Sequence, residues 1–403
     1  MDILESSKTF LVLMIGLYTH PPLSLINNKI RNEKILMRRI RFFGVDTPTG
    51  VGTHCSQTLK ALQAFQFENI RFQLIKHNYI DEVQTAVLDS MDSDVNIFFF
   101  PEVYAHNLKG LKIYWCVFDA SRPNPGYEKW LERFHYVFAT SHWGRDIMLD
   151  RGMDGSKIFV IPEGVDPKFY NPYGRPSAAL GSKTKFLMVG KYEQKKGYRE
   201  AFEALRIAVE QGAELELLTK ADWINGTNAV LHPEFIELVQ QYHAKFNIVV
   251  YSGNLSREQM RTLYYSADYF LHPSRCEGWS LPLIEAIACG TPCISTRFGG
   301  HSEYLDFLPD AQIIKTTLSL VDCQTYKDAV GHSDGDFGQW AFPSVSDMAQ
   351  QIVSAAAKPG TSSLVGANYV RERYSWDIAA EKILKFLQTI GQNSSEVLAP
   401  TAS

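Results

Sequence analysis

Short, nearly continuous apolar runs alternate with helical patterns along the first half of the chain. Apolar positions that recur every three or four residues predict helices at Thr53–Phe67, near Asp81–Asp89, at Tyr127–Phe134 and at Ser141–Arg151. The apolar runs predict strands at Arg39–Val45, Arg71–Ile75, Val95–Phe100, Lys112–Phe118, Tyr136–Ala139 and Ile158–Ile161. Because these strands are apolar at almost every position, we expect a parallel sheet covered by helices on both faces.

A stretch rich in proline, glycine and polar residues, Pro162–Lys185, interrupts this pattern and predicts a linker between domains. The alternation then restarts, with strands predicted at Phe186–Val189, Leu215–Leu218, Ile248–Tyr251, Tyr269–Leu271 and Cys293–Ser295. Helices are predicted at Tyr198–Glu210, Glu234–Lys245, Val345–Ala357 and Trp376–Ile390, and Ser256 with Gln259 forms a capping-box pattern that opens another. Two doubly wound halves joined by a linker predict a cleft between the carboxyl ends of both sheets.

The 403 residues exceed one usual hydrophobic core, so two domains are expected. The predicted organisation is an N-terminal extension at 1–34, a Rossmann-like domain at 35–172, and a second one at 173–374. A C-terminal helix at 375–392 is expected to cross back to the first domain. The tail, 393–403, is expected to stay flexible, since the chain from Gly391 onward has too little apolar pattern to fold.

Composition excludes several classes of function. A formal net charge of −4 gives no general argument for binding nucleic acid or an acidic membrane surface. The six cysteines are scattered without a C-x-x-C pair, which is typical of reduced thiols in a cytosolic protein. The apolar run Phe10–Tyr18 is too short to span a bilayer and lacks the basic start of a secretory signal, so we expect an extension there rather than an anchor.

The stretch Pro273–Glu303 concentrates the candidate chemistry. A strand leads into a loop that holds Glu277, and a helix that carries Glu285 follows, eight residues later. We expect Ser280 to cap this helix, so that unpaired backbone N–H groups from Ser280 to Leu283 form an anion site. Two carboxylates beside an anion site suit a ligand rich in hydroxyl groups.

A basic loop, Gly190–Gly197, follows the first strand of the second half. Lys191 lies at the strand end and Lys196 just before the next helix. Taken alone, such a lysine cluster is more often a solvated surface turn. Its position at the carboxyl end of a strand, in the same half as Glu277 and Glu285, favours a site for a diphosphate instead.

Together these residues resemble the retaining glycosyltransferases of the GT-B fold, specifically family four. The donor motif of that family is similar to the run from Glu277 to Ala286, EGWSLPLIEA, and its basic loop to the run from Gly190 to Gly197. Further similarities are PEGVD at 162–166, Gly299-Gly300 with Glu303, and the closing Tyr374-Ser375-Trp376 helix. The resemblance spans roughly Arg39 to Ile390 and implies an acceptor-side first domain and a nucleotide-sugar-binding second domain.

The resemblance also implies roles for individual residues. Lys191 and Lys196 would neutralise the diphosphate of the donor, while Glu277 would contact hydroxyls of the transferred sugar and Glu285 those of the ribose. The remaining donor-site candidates are Gly278, the helix start Ser280, Leu281 and Pro282, the first-domain glycines Gly50 and Gly52, and, more weakly, Lys220, Asn254 and Leu255. Gly50 and Gly52 would let a loop of the first domain approach the phosphates without a clashing Cβ.

The chain also departs from the family pattern. Lys191 replaces the usual arginine, which keeps the charge but loses bidentate geometry. Where many members have a histidine in the first domain, this chain has Asp119, our candidate for the polar residue on the catalytic face; a structural turn acid is the alternative. Two D-x-D runs, at 92–94 and 334–336, imitate a metal–diphosphate signature, but no metal role is expected for them. His272 and His301 could line the cleft, but we expect hydrogen-bonded structural imidazoles at both positions.

The function that the resemblance implies is transfer of a hexose, with a weak preference for mannose or glucose, from a nucleotide diphosphate sugar to a hydroxyl acceptor with retention of configuration. The acceptor would be a glycan, a lipid-linked sugar or a small molecule, and no cofactor, metal or nucleic acid is expected. We expect a cytoplasmic protein, and a peripheral membrane contact through the first domain stays open. The alternatives are a catalytically inactive nucleotide-sugar-binding regulator and a sugar-nucleotide epimerase of the same fold, which the donor motif disfavours.

Overall fold

A computed structural model gives the architecture of the chain. It describes residues 39–44, 50–65, 71–76, 94–99, 108–123, 126–175, 183–225, 228–322, 335–358 and 362–397. The predicted N-terminal extension and the helix expected near Asp81–Asp89 lie outside these ranges. The described residues form two α/β domains, each built on a six-stranded parallel sheet.

The first sheet has the strand order β2-β1-β3-β4-β5-β6. Its strands are β1 Arg39–Gly44, β2 Arg71–Lys76, β3 Val95–Phe98, β4 Leu111–Cys116, β5 Tyr136–Ala139 and β6 Ile158–Val160, and its helices are α1 Gly50–Ala64, α2 Tyr127–Leu131 and α3 His142–Asp150. Strands β1 and β3 are apolar along most of their length, which favours a position inside a sheet that is covered on both faces, and they are buried almost throughout.

The second sheet repeats this plan with the order β11-β8-β7-β12-β13-β14. Its strands are β7 Thr184–Val189, β8 Leu215–Lys220, β11 Asn247–Tyr251, β12 Tyr269–His272, β13 Cys293–Ser295 and β14 Gln312–Ile313. The helices are α4 Tyr198–Glu210, α5 Pro233–Tyr242, α6 Arg257–Ser266, α7 Leu281–Ala288, α8 Ser302–Leu305, α9 Val345–Ala356 and α10 Leu364–Arg373. The capping box predicted at Ser256 and Gln259 is confirmed.

The structure contains elements that the apolar pattern did not predict. Two antiparallel hairpins, β9 Asp222–Asn225 with β10 Asn228–Leu231 and β15 Thr316–Leu320 with β16 Gln339–Pro343, extend from the second domain. Their strands are too short or too exposed to stand out as apolar runs; all five residues of β15 are exposed.

The C-terminal helix α11, Trp376–Val397, crosses back to the first domain as expected. Its Phe386 ring lies 4.5 Å from the Phe159 ring and 5.1 Å from those of Tyr136 and Phe138, measured between centroids. The prediction that the chain stops folding at Gly391 is wrong, because the helix continues to Val397. Helix propagation across this polar stretch adds one hydrogen bond per residue and needs no apolar face of its own.

The two connections between the domains pass side by side. Val165 of the linker forms a parallel bridge with Ser375, and its N–H donates to the carbonyl of Tyr374 at 2.8 Å. Gly164 permits this approach, because a Cβ there would lie 2.2 Å from the backbone nitrogen of Trp376. The two chain segments therefore form one narrow joint, which we call the hinge (162–166 and 374–376).

A buried pair supports the hinge from the first domain. His54 of α1 lies with its Nδ1 2.5 Å from Oε1 of Glu163, and both side chains are shielded from solvent. The His54 ring packs edge-on against Phe99 and Trp115, with centroids 4.6 and 4.3 Å away. Because the ring's other nitrogen, Nε2, is buried and has no hydrogen-bond partner among the described residues, the arrangement fits an imidazole that donates from Nδ1.

Candidate active site

The two loops singled out from the sequence meet at the topological switch point of the second sheet. Strands β7 and β12 are neighbours at its centre, whereas the chain leaves β7 towards β8 on the other side. The basic loop (190–197) follows the carboxyl end of β7, and the Glu277 loop (273–280) follows that of β12. This crevice is where doubly wound sheets place ligands.

Lys196 and Glu277 form an ion pair at the centre of this crevice. The Nζ of Lys196 lies 2.5 Å from Oε1 of Glu277, whose side chain is 6% exposed. Burial alone would raise the pKa of Glu277, but the charge of Lys196 and the interaction with His272, whose Nε2 lies 3.7 Å from Oε1, outweigh it and hold this pKa well below its usual range. Glu277 is therefore ionised at neutral pH, and its acceptor oxygens lie beside a fixed cation.

The start of α7 differs from the predicted cap. Ser280 precedes the helix with φ 68° and ψ 77°, and its side chain bonds to no backbone N–H of the helix. Its hydroxyl lies instead 3.0 Å from Nε2 of His272, whose Nδ1 lies 3.0 Å from the hydroxyl of Ser295. The N-cap prediction for the Ser280 side chain is thus wrong, because the left-handed backbone turns that side chain towards β12. The first-turn N–H groups of α7 still lack intrahelical partners, and Pro282, which has no N–H, fits within that turn.

Glycines let the Glu277 loop pack tightly against its surroundings. A Cβ on Gly278 would lie 2.2 Å from Cγ1 of Val117 in the first domain, and one on Gly300 would lie 1.8 Å from the carbonyl oxygen of Gly278. The N–H of Gly300 donates to the carbonyl of Glu277 at 2.8 Å, and Gly299 (φ 121°) forms a bridge with Glu277. The Gly299-Gly300 pair therefore holds the Glu277 loop in place through backbone contacts.

Glu285 lies one turn into α7, on the same side of the sheet as Glu277 but in a different environment. Its Oε2 accepts a hydrogen bond of 2.8 Å from the hydroxyl of Tyr264. Burial raises the pKa of Glu285 to about 7, although the hydrogen bond from Tyr264 and the charge of Arg257 act in the opposite direction. The pKa values of the two glutamates of one motif are thus shifted in opposite directions, upward for Glu285 and downward for Glu277.

The other predicted donor-site residues of the second domain lie around this centre. Lys191 is half-exposed, and its Nζ lies 3.9 Å from Oε1 of Glu193. Lys220, at the end of β8, pairs with Asp222, which also accepts from the N–H of Gly253. Asn254 is exposed and Leu255 half-buried in the loop between β11 and α6.

In the first domain, the predicted loop position of Gly50 and Gly52 needs correction, whereas their role towards the phosphates or the acceptor stays a prediction. They lie in the first turn of α1, which begins three residues earlier than its apolar pattern indicates, and not in a loop. A Cβ on Gly50 would meet no atom within 4 Å of the described residues, so the structure gives no steric reason for a glycine there.

Asp119 follows β4 and faces the second domain. Its Oδ2 lies 2.6 Å from Nζ of Lys195, and its carbonyl oxygen accepts from the indole N–H of Trp340 at 2.8 Å. Burial alone would lower the pKa of Lys195, but the negative charges of Asp119, Glu193 and Glu277 raise it well above its ordinary value. The sequence indicated Asp119 but not Lys195, which sequence reasoning passed over in favour of the lysine that follows it.

The two histidines and the D-x-D runs have the following contacts in the described ranges. His272 and His301 are buried, and His301 lies with its Nε2 3.0 Å from the carbonyl of Thr296. Of the D-x-D runs, Asp94 accepts from the N–H of Arg39 at 2.8 Å and Asp336 pairs with Arg122, while Asp92, Ser93 and Asp334 lie outside the described residues. Within the described ranges, no three histidine, cysteine or acidic side chains gather as metal ligands would.

The cysteines and the helix lengths are two further general features of the described ranges. Five cysteines lie in the described ranges; all are buried, and no two of them form a disulfide. Among the helices that the structure describes, none has the combination of length and apolar content that crossing a membrane requires.

Comparison with known proteins identifies the domain that holds this crevice. Residues 175–308 match the sequence profile of the family described as glycosyl transferases group 1. The MMP alpha-(1->4)-mannosyltransferase of Mycolicibacterium hassiacum is 32% identical over 170 residues, which cover 41% of this chain and 37% of that enzyme. The chain thus aligns with less than half of the length of this curated relative.

Solved structures extend the likeness to both domains. Sucrose-phosphate synthase from Thermosynechococcus elongatus has a TM-score of 0.65 at 16% identity and covers 88% of this chain and 100% of its own. The Anabaena HepE structure, solved in complex with UDP and glucose, has a TM-score of 0.58 at 14% identity and covers 90% and 99% of the two chains. At these identities the likeness establishes the fold, which is GT-B as predicted.

Proposed function

We propose that this chain, in which residues 175–308 match the profile of glycosyl transferases group 1, is an enzyme that transfers a hexose from a nucleotide diphosphate sugar to a hydroxyl acceptor. The observation that carries the proposal is the Lys196–Glu277 pair, 2.5 Å apart, beside the start of α7. A cation, a set of unpaired N–H groups and an ionised carboxylate then converge within one crevice.

The donor would lie with its diphosphate between the basic loop and the start of α7. Lys196, half-exposed Lys191 and the N-terminal end of α7 supply the positive charge that the diphosphate needs. Glu277 would accept hydrogen bonds from hydroxyls of the transferred sugar, and Glu285 from those of the ribose. These donor contacts need no metal ion, so metal independence is part of the proposal.

The reaction forms a bond between the acceptor oxygen and the anomeric carbon and breaks the bond from that carbon to the diphosphate. The proton of the acceptor hydroxyl passes to an oxygen of the departing phosphate, so the products are a glycoside and a nucleoside diphosphate. Attack from the face that the phosphate leaves would retain the configuration. The catalytic effect comes mainly from groups already in place to stabilise charge on the leaving diphosphate.

A mannose or glucose donor is the first choice to test, because similar proteins include a mannosyltransferase and a protein solved with UDP and glucose. The acceptor is proposed only as a hydroxyl compound, either a glycan, a lipid-linked sugar or a small molecule. A regulator that binds the donor without transfer remains the second candidate, because Asp119 is paired to Lys195 and so differs from a free catalytic-face residue.

Nucleotide release with and without acceptor separates these functions. UDP-, GDP- and ADP-linked glucose and mannose would be incubated with a panel of acceptors, and thermal shift would report binding, which stabilises the folded state. We expect acceptor-dependent release of nucleoside diphosphate. The rate should be at least ~100-fold lower in Lys196→Ala, because this variant lacks the cation that stabilises negative charge on the leaving diphosphate. Lys245→Ala, an exposed lysine beyond α5, is the matched control and should behave as wild type.

Two results would contradict the proposal. Stabilisation by a nucleotide sugar without any release would identify a binding protein, and conversion of the donor sugar without acceptor would identify an epimerase. A Lys196→Ala variant with near-normal turnover would refute the assignment of the diphosphate site.

A further inference from the structure

Two of the ion pairs that join the domains lie along one contact surface, which we call the seam (residues 119–122 against Lys195 and 336–340). Asp119 of the first domain contacts Lys195 of the second, and these side chains are 39% and 9% exposed. Arg122 of the first domain contacts Asp336 of the second, and these two side chains are 47% and 56% exposed. Because the ammonium group of Lys195 is shielded from solvent, its attraction to Asp119 is less screened than that between Arg122 and Asp336, and we expect it to contribute more to holding the domains together.

Lys195 is fixed on the second domain. It lies in the 3-10 turn Gln194–Lys196, in which consecutive side chains point in directions about 120° apart. Lys196 therefore reaches Glu277 while Lys195 reaches the first domain. The carbonyl oxygen of Lys195 accepts from the N–H of Arg275 at 2.6 Å, which ties this turn to the Glu277 loop.

The segment that follows β4 and carries Asp119 is held against the second domain by contacts that extend along the seam. Besides the bond to the Asp119 carbonyl from Trp340, the N–H of Gln339 donates to the hydroxyl of Ser121 at 2.7 Å, and the N–H of Arg122 donates to the carbonyl of Phe337 at 3.1 Å. Ala120 packs with Phe337 and Trp340 in a small apolar cluster. The carboxylate of Asp119 is thus held where the end of β4 meets the donor crevice.

The charge balance around Lys195 depends on the first domain. Glu193 lies 3.9 Å from its ammonium group, and the Lys196–Glu277 pair is adjacent. When the domains are together, Asp119 supplies the closest carboxylate, at 2.6 Å. If the domains separated, Lys195 would turn towards Glu193 and Glu277 and compete with Lys196 for the latter.

We propose that Asp119 and Lys195 form a positioning pair that aligns the two domains around the donor and keeps Lys195 from competing with Lys196 for Glu277. Asp119 then acts through Lys195 and is neither a nucleophile nor a base. This inference rests on the proposed function, because the alignment matters for transfer only if a donor occupies the crevice.

A double-mutant cycle tests the pair. Asp119→Asn and Lys195→Met should each lower kcat roughly 10- to 100-fold. The kcat of the double variant should be no lower than that of the less active single variant, because both substitutions remove the same interaction. Lys195→Arg, which keeps the charge and reaches the same carboxylate, should retain most of the turnover and also serves if Lys195→Met folds poorly. Arg122→Gln, on the same seam, is the matched control and should leave turnover unchanged.

Small-angle scattering supplies a readout that does not depend on turnover. We expect Asp119→Asn and Lys195→Met to increase the radius of gyration in the absence of donor, and Arg122→Gln to leave it unchanged. Effects on kcat that multiply in the double variant would overturn the inference, since Asp119 would then act independently of Lys195. Singles with wild-type turnover and compactness would overturn it as well. A wild-type protein without turnover on any donor refutes the proposed function, while scattering still decides whether the pair holds the domains together.

Discussion

The two glutamates of the Glu277 motif should respond to neutralisation in opposite ways. Burial raises the pKa of Glu285 to about 7, compared with an ordinary value of 4.5, whereas Lys196 and His272 hold the pKa of Glu277 well below that value. Between pH 4.5 and 7 the folded state therefore binds a proton at Glu285 that the unfolded chain has released. The contribution of Glu285 to the free energy of unfolding must therefore fall as the pH rises through that window.

The expected magnitude follows from the size of the shift. A difference of about 2.5 pKa units corresponds to roughly 3 kcal/mol, an upper figure for the cost of ionising Glu285 in the folded state above pH 7. Glu285→Gln removes that cost, and the glutamine oxygen can still accept the hydrogen bond from Tyr264. This variant should be more stable than wild type by roughly 1–3 kcal/mol at pH 8 and nearly equal to it at pH 5.

Glu277→Gln is the matched comparison. It leaves the Lys196 ammonium buried without its counter-charge, which costs roughly 3–5 kcal/mol. Because the depressed pKa of Glu277 keeps its stabilising charge in place at both pH 5 and pH 8, the loss should appear at both values. The sign of the effect therefore distinguishes two carboxylates that lie eight residues apart.

Urea unfolding followed by circular dichroism at pH 5, 6, 7 and 8 measures both differences. A Glu285→Gln variant that is less stable than wild type at pH 8, or whose advantage is the same at pH 5 and pH 8, would refute the reasoning. Nucleotide-sugar affinity, measured on the same samples, should fall in both variants, since each carboxylate is proposed to accept from donor hydroxyls.

Three further predictions follow from packing and backbone geometry. Gly278→Ala places a Cβ 2.2 Å from Val117 and 3.1 Å from the carbonyl of Phe118, so it should lower the transfer rate at least ~10-fold by holding the domains apart. Adding Val117→Ala to this variant should restore part of the rate. An unaffected rate in Gly278→Ala would show that the domains are packed less tightly here than these distances indicate. Ser280→Gly relieves the backbone strain of the left-handed conformation at φ 68°, whereas Ser280→Ala keeps it, and both variants lose the bond to His272. Denaturant unfolding should therefore show the alanine variant to be less stable than the glycine variant by roughly 1 kcal/mol. The reverse order would show that the backbone at Ser280 is not strained. Phe386→Ala should lower the free energy of unfolding by roughly 3–5 kcal/mol, because the Phe386 ring fills the space between α11 and three aromatic rings of the first domain. A loss below about 1 kcal/mol would show that α11 packs only loosely against that domain.

The sequence was sufficient for features that depend on a continuous local pattern. The bounds of α4 were predicted without error and those of β12 to within one residue, because buried parallel strands are apolar at every position and amphipathic helices repeat their apolar face. The basic and acidic loops were also located from sequence, since parallel strands bring their carboxyl ends to one edge of the sheet.

Features that depend on distant parts of the chain escaped sequence reasoning. Nothing in the run Glu193–Gly197 shows that Lys195 faces another domain while Lys196 faces Glu277; that follows from a 3-10 turn and from the position of Asp119. Likewise, serine has a good intrinsic preference for N-caps, but the backbone of Ser280 is left-handed and its hydroxyl lies beside His272 of β12 instead. The His54–Glu163 pair was missed because its two residues are 109 positions apart.

The side-by-side crossings at the hinge have a consequence for how the chain is made. Because Phe386 completes the aromatic packing of β5 and β6, the first-translated domain lacks part of its core until the last helix has been synthesised. The second domain is continuous in sequence from Thr184 to Arg373 and needs no such late segment for its sheet. Since domains fold as units during synthesis, the half that leaves the ribosome first is expected to reach its final structure last, with a completed second domain already attached.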